Sequence, residues 1–228
     1  MLTEQELKEL YGKTYVEAFG AQQSQQRLAR LVPLMKLQPI DHVVDFACGN
    51  GMLLPMVAGR VQSYTGVDFS QDFIAAAQAR QAASGVAGAY FVCADIIDFC
   101  AENPAKFDVA FAMDFSEHVY DEAWVMLLKA IKTSLKPGGR LYLHTPNATF
   151  FLEQMKARNF IVKQFPEHIA VRTPEHNVRL VEKSGFHARA VHLLPHYNIL
   201  RFLHGLSGLP WVGKYFQARI FMEAVLPC

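Results

Sequence analysis

Apolar positions along this chain fall into two rhythms. Short apolar runs at Asp41 to Phe46, Ser63 to Val67, Ala89 to Ala94, Phe107 to Met113 and Gly139 to Thr145 have the length and composition of strands buried on both faces. Between them the apolar positions recur at helical spacing, which predicts helices near 51–58, after Ser70, and over 127–135, with two more ahead of the first strand at 4–19 and 22–36. Strands alternating with helices in this way predict an α/β fold around a mostly parallel sheet with helices on both faces.

Punctuation sharpens these boundaries. Thr3 and Glu6 form a capping box for the first helix, Ser70 caps the helix carried by Phe73-Ile74-Ala75-Ala76-Ala77, and Gly85 stops it. Lys136-Pro137-Gly138-Gly139 supplies a basic helix end followed by breakers. Further on, Thr173-Pro174-Glu175 starts a helix that runs to Lys183 and stops at Gly185, and strands follow at Phe186 to Leu194 and Ala218 to Leu226. The stretch Pro195 to Gln217 is rich in His, Tyr, Phe, Leu and Trp, is broken by Gly205, Gly208 and Gly213, and reads as a cap.

At 228 residues the chain suits one α/β core with an appended cap. A single domain over 1–228 is expected, with a helical cover at 1–40, a core at 41–145, and a cap with the last strands at 146–228. The apolar fraction is 51%, yet no run approaches the roughly 18 apolar residues needed to cross a bilayer. Met1-Leu2-Thr3-Glu4-Gln5-Glu6 lacks the basic and apolar regions of a signal peptide, so a cytoplasmic protein is expected. Cys48, Cys93, Cys100 and Cys228 show no metal-ligand spacing and are expected to be reduced thiols. A net charge of +1 provides no broad basic surface, which excludes nonspecific phosphate attraction as the organising principle and leaves nucleic acid out of the expected partners.

Candidate chemistry concentrates at Val43-Val44-Asp45-Phe46-Ala47-Cys48-Gly49-Asn50-Gly51, where an apolar strand enters a turn of small residues. Ala47, Gly49 and Gly51 let backbone amides approach a ligand closely. A carboxylate at Asp45 would repel a pyrophosphate but pair with a cation, which argues against a nicotinamide dinucleotide. Asp68, at the end of the next strand, is placed to accept hydrogen bonds from ribose hydroxyls. Together the two acids suggest a nucleoside with a positively charged amino-acid tail.

Asp45-Phe46-Ala47-Cys48-Gly49-Asn50-Gly51 resembles the glycine-rich motif of class I S-adenosylmethionine-dependent methyltransferases, with Ala47 where that family usually has its first glycine. Gly66-Val67-Asp68-Phe69-Ser70, Cys93-Ala94-Asp95-Ile96, Phe107-Asp108-Val109-Ala110-Phe111 and Leu135-Lys136-Pro137-Gly138-Gly139-Arg140-Leu141 follow in the family's order, so the likeness covers roughly 27–145. The resemblance implies a Rossmann-like sheet of seven strands with an antiparallel last strand, and S-adenosyl-L-methionine as cofactor. It implies that Asp45 and Gly49 border the methionine end, Asp68 holds the ribose and Asp95 with Ile96 contacts the adenine, with Ala47, Gly51, Phe69 and Met113 also among the cofactor-binding residues. Asp95 has a second use open to it, as the cap of a short helix starting at Ile96.

Met113-Asp114-Phe115-Ser116-Glu117-His118-Val119 follows the fourth strand, and its Glu117-His118 pair resembles the same position in quinone-type O-methyltransferases. His118 is the candidate general base for a phenol or other hydroxyl, its alternative use being to fix the loop beside the cofactor. Asp114, Glu117 and His118 also match an acid-x-x-Glu-His pattern that binds a divalent ion in some of those relatives, which have Glu where this chain has Asp114; no metal is assigned. His144-Thr145-Pro146-Asn147 either lines the acceptor pocket or is structural. His168, Arg172 and His176 fall in the segment that varies most with substrate in folds of this kind, where the histidines read as surface residues, and Tyr11 and Tyr15 read as core packing or a cover over the cofactor.

The expected activity is methyl transfer to an oxygen, less readily a nitrogen or carbon, of a small or lipid-like acceptor. The alternative is a non-catalytic S-adenosylmethionine-binding partner protein. The 195–217 segment is either a cover for the sheet edge, a peripheral membrane contact, or an oligomer contact in a chain that is a monomer or homodimer.

Overall fold

The computed structural model describes residues 28–161, 163, 168–197 and 199–227. The helix expected at 4–19, the start of the one at 22–36, the Thr3–Glu6 cap, Tyr11, Tyr15 and Cys228 lie outside the described residues. Within them, Val32–Leu34 forms a 3-10 turn containing Pro33 rather than the end of a helix reaching 36, because proline cannot donate to the preceding turn.

Seven strands form one sheet: β1 His42–Phe46, β2 Ser63–Asp68, β3 Ala89–Cys93, β4 Phe107–Met113, β5 Leu135–Pro146, β6 His187–Leu194 and β7 Arg219–Val225. Their order is β3-β2-β1-β4-β5-β7-β6. β1 to β5 pair in parallel, and only β7 runs against its neighbours, β5 on one side and β6 on the other. This is the Rossmann-like sheet that the motifs imply.

The helices are α1 Leu54–Val57, α2 Gln71–Ser84, α3 Ile96–Glu102, α4 Asp121–Ser134, α5 Phe151–Ala157 and α6 Pro174–Lys183. Alternate residues of each strand feed two cores. Val44, Phe46, Ala110, Leu141 and Leu143 pack with Phe99, Trp124, Leu128, Ile131 and Val181 of α3, α4 and α6. Val43, Tyr64, Val109, Phe111 and Tyr142 face the other way, toward Leu28, Leu31, Leu54 and Val57. Burying a side chain of this size is worth roughly 1.5–3 kcal/mol, so both faces contribute to holding the sheet.

Several boundaries differ from expectation for local reasons. The helix expected at 51–58 shortens to α1, because Gly51 takes φ +71° and the chain stays in turns until Leu54. α4 begins at Asp121, six residues before the predicted start, behind a Tyr120 that offers no side-chain cap. Lys136-Pro137-Gly138-Gly139 is part of β5 rather than a breaker: the register with β4 shifts between Phe107 and Val109, and Gly138 takes φ +74°. α5 has no counterpart in the sequence reading. Ser70 accepts from Phe73 N, Gly85 closes α2 at φ +67°, and Thr173 caps α6, all as the sequence predicts.

The 195–217 cap contains 3-10 stretches at Ile199–Gly208 and Gly213–Phe216. It rests on the body through Phe216 against Phe151 and His196 against Phe150, and it exposes Phe202, Leu209 and Trp211, the last at 94%. No helix among the described residues is long and apolar enough to cross a membrane.

Candidate active site

β1 lies between β2 and β4, where the strand order reverses, and parallel strands leave a crevice beyond their carboxyl ends at such a point. A cavity of about 720 Å³ occupies it. Of the residues predicted from sequence, Asp45, Ala47, Gly49, Asp68, Phe69, Asp95, Ile96, Met113 and His118 line this cavity. Gly51 does not: it stands behind the loop, where an added Cβ would meet the Phe91 ring at 3.0 Å.

The β1–α1 loop is built on backbone conformations that few side chains accept. Ala47 has φ +53°, Gly49 +52° and Gly51 +71°. Asp68 holds the loop from β2, its Oδ2 accepting from Gly49 N at 3.0 Å and its Oδ1 from Ser70 N at 2.9 Å. Cys48 N donates to Val67 O, and Arg80 of α2 reaches Asn50 O at 2.9 Å. Asp45 is 3% exposed, and its Oδ2 accepts from the Tyr64 hydroxyl at 2.6 Å. Burial pushes the Asp45 carboxyl up to about 7, with the Tyr64 hydrogen bond opposing and the Asp68 charge adding to the rise. Asp68 is also raised, chiefly by burial. Asp95 caps α3, Oδ1 accepting from Ile97 N at 2.7 Å, so the capping use open to it in the sequence is one it makes.

Five aspartates line the cavity (Asp45, Asp68, Asp95, Asp98 and Asp114), and no lysine or arginine is among its described lining residues. Asn50, also in the lining, buries an Oδ1 that has no hydrogen-bond partner. Such a cavity favours a ligand that brings positive charge and hydrogen-bond donors.

The wall beyond Met113 is a tight turn. Asp114 takes φ +51°, Ser116–His118 forms a 3-10 turn, and Glu117 is buried. The last residues of β5 hold it: His144 Nδ1 meets Asp114 Oδ1 at 2.8 Å, and Thr145 Oγ1 donates to Glu117 Oε2 at 3.0 Å. Burial raises the Glu117 carboxyl, with the Asp114 charge adding to the rise. His144 and Thr145 are thus buried supports outside the cavity lining.

The segment at 168–172 fastens the same turn from outside, contrary to the surface role its polar residues suggest. Ala170 N donates to Glu117 O, and Arg172, 3% exposed, donates to Ser116 O and Val119 O at 2.6 Å each and to Asp121 Oδ1 at 2.7 Å. This brings the His168 ring to 5.2 Å from the His118 ring, centre to centre. Burial and the neighbouring His118 lower the His168 imidazole to about 4. His176 pairs with Asp121 at 2.7 Å on the half-exposed side of the turn. Glu117, His118 and His168 each place one ligand atom within 4.8 Å of the others, whereas Asp114 pairs with His144 and Arg219. The donors that meet there therefore differ from the Asp114, Glu117 and His118 set that the resemblance suggests.

Residues 43–139 match the family model described as "Methyltransferase domain". The ubiquinone biosynthesis O-methyltransferase of Aeromonas salmonicida is 30% identical over 195 residues, covering 81% of this chain and 76% of that protein. The chain belongs to the S-adenosylmethionine-dependent methyltransferases.

The methyltransferase is also 33% identical over 142 residues to the ubiquinone biosynthesis O-methyltransferase of Xylella fastidiosa, covering 60% of this chain. It spans about half the length of the first curated relatives it matches, 56% and 50%. Magnesium protoporphyrin IX methyltransferase from Synechocystis, solved with bound SAH, has the same fold at TM-score 0.71 and 17% identity, covering 98% of this chain and 100% of that one.

S-adenosylmethionine, the methyl donor of this family, carries a sulfonium and an ammonium. The acid-lined cavity and the buried Asn50 Oδ1 of this methyltransferase fit both charges. Sequence reasoning missed Tyr64 and Arg172. Tyr64 had a signal, since Tyr64, Gly66 and Asp68 alternate onto one face of β2; Arg172 had none, because its partners lie more than fifty positions away.

Proposed function

We propose that this methyltransferase moves a methyl group to an oxygen, less readily a nitrogen or carbon, of a small or lipid-like acceptor bearing a phenolic or quinol-type hydroxyl. The observation that carries the reading is that His118 and the acid-lined cavity share one wall. The two relatives named above, both ubiquinone biosynthesis O-methyltransferases, support an oxygen target.

In this reading Asp45, Asn50 and the Ala47–Gly49 backbone would hold the amino-acid end, Asp68 and Phe69 the ribose, and Asp95 and Ile96 the adenine, with Met113 lining the same cavity. Bound there, the cofactor supplies an electrophilic methyl. His118 takes the acceptor's proton as its oxygen attacks, while the buried Glu117 and the 168–172 segment hold the histidine in place. Most of the rate comes from alignment of the acceptor with the methyl. The chain acts as one domain in the cytoplasm, as a monomer or homodimer, and the exposed Phe202, Leu209 and Trp211 give it a peripheral contact with the membrane from which a lipid-like acceptor is drawn.

Calorimetric titration with S-adenosylmethionine and S-adenosylhomocysteine, repeated on Asp68→Ala, tests the cofactor half. The acceptor half is tested by methyl transfer to catechols and quinols with the wild type and His118→Ala. Binding without transfer to any hydroxylated ring would favour the non-catalytic partner reading. Failure of the folded protein to bind either ligand would remove the proposal.

A further inference from the structure

Asp45 and Tyr64 sit on adjacent parallel strands and share the buried face of β1 and β2 that carries Val43. The Tyr64 ring is 1% exposed and packs edge-on against Phe91, 5.9 Å between centres, which leaves its hydroxyl aimed at Asp45 Oδ2 at 2.6 Å. A residue that only filled the core would need no hydroxyl there, since phenylalanine has the same ring. The hydroxyl is a donor fixed against one oxygen of the single carboxylate at the methionine end of the cavity.

The groups around Asp45 are few. Tyr64 and Asp68 face it from β2 and Cys48 from the loop, while its β4 partner Phe111 is apolar. No described lysine or arginine lines the cavity to neutralise it. A buried carboxyl with one hydroxyl donor and a neighbouring acid retains its proton near neutrality; the same carboxyl beside an ammonium gives it up.

We infer that Tyr64 is a positioning residue for the cofactor site, and that it lets Asp45 exchange its proton for the ammonium of the incoming amino-acid end. The inference rests on the cofactor reading of Asp45 given above. The balance is simple: the Asp45 carboxylic acid and a ligand ammonium become a carboxylate–ammonium pair, and one proton goes to the buffer. Tyr64 stays neutral throughout and donates to Asp45 Oδ2 in the acid and in the carboxylate alike. Without the hydroxyl, ionisation of Asp45 is harder, so the site is competent only at higher pH.

The test is calorimetric titration with S-adenosylmethionine from pH 5.5 to 9, in pairs of buffers with different ionisation heats, on wild type, Tyr64→Phe and Asp45→Asn. Wild type is expected to release up to one proton on binding near pH 6, and Asp45→Asn none attributable to this step. Removing a hydrogen bond to a charged group moves its ionisation by roughly one pH unit or more, so Tyr64→Phe binds roughly five- to tenfold more weakly than wild type at pH 6–7 and within about twofold at pH 9. Both proteins meet the same ligand, so its own titration cancels in that ratio. A loss of equal size at every pH would assign Tyr64 a purely structural role and overturn the inference, as would proton release unchanged in Asp45→Asn. Wild type that binds at no pH would overturn the cofactor reading along with it, a result distinct from binding that ignores Tyr64.

Discussion

Arg172 follows Ser116 by 56 positions, yet its Nη1 donates to the Ser116 carbonyl at 2.6 Å inside the protein. With Val119 O and Asp121 Oδ1 as further acceptors, one guanidinium closes the turn that carries His118. A planar fork suits three acceptors spread over six residues, and an ammonium does not.

Arg172→Ala should therefore leave the buried Ser116 carbonyl and the partly buried Val119 carbonyl without this donor and destabilise the protein by about 2–4 kcal/mol, lowering the melting temperature by roughly 4–15 °C. Arg172→Lys should recover less than half of the loss. Calorimetric melting checks both, and an alanine variant that melts like wild type would show that the turn holds itself.

Asp68→Asn keeps the shape of the side chain that accepts from Gly49 N and Ser70 N but removes its charge and turns one of those two acceptors into a donor. Affinity for S-adenosylmethionine should drop by about 1–3 kcal/mol, the worth of a hydrogen bond to a charged group. Equal affinity in the two proteins would take Asp68 out of the binding set.

Ala47→Gly should stabilise. At φ +53° the alanine Cβ crowds its own carbonyl, at roughly 1–2 kcal/mol, while glycine is comfortable there but loses more freedom on folding. The net gain should be about 0.5–1 kcal/mol, read as a rise of one to a few degrees in melting temperature. A lower melting temperature would show that the methyl packs usefully.

Stability without ligand should fall as pH rises toward 7 and beyond. The folded-state carboxyl of Asp45 titrates at about 7 against an ordinary 3.8, so the folded protein holds a proton that the unfolded chain has lost. The stabilisation is complete below about 4 and disappears as pH climbs through 7, at up to about 1.4 kcal/mol per pH unit for the group. Glu117 is raised as well and acts in the same direction, while His168, lowered from 6.5 to about 4, opposes both between those two values, so the net fall is clearest above pH 6.5. Chemical unfolding at pH 5, 6, 7 and 8 measures the slope, and Asp45→Asn should flatten it. A slope that rises over this range would contradict the burial of these acids.

What the sequence reveals is what neighbours in the chain decide. β4 is recovered in full because Phe107 to Met113 is apolar at every position but Asp108, and α6 because Thr173 and Pro174 mark its start. The cofactor loop is legible for the same reason, since Asp45 to Gly51 is one local segment. α5 escapes notice because Phe150 provides no side-chain cap for its seven residues. β5 loses its start because Gly138 and Gly139 resemble a stop when the β4 register cannot be seen. Tyr64 meets Asp45 across 19 positions and Arg172 meets Ser116 across 56, pairings made by the sheet and not by the chain.

The strand order carries a consequence for how the molecule comes into being. β7 lies between β5 and β6, so both earlier strands wait for it. A ribosome releases β5 and then β6 well before the Arg219–Val225 segment that joins them. Throughout that interval the edge of β5, with Tyr142 and Leu143 upon it, is an open template for any other strand that drifts by. The emerging chain is thus at its most vulnerable just short of the insertion that completes it, and a chaperone has most to offer at that moment.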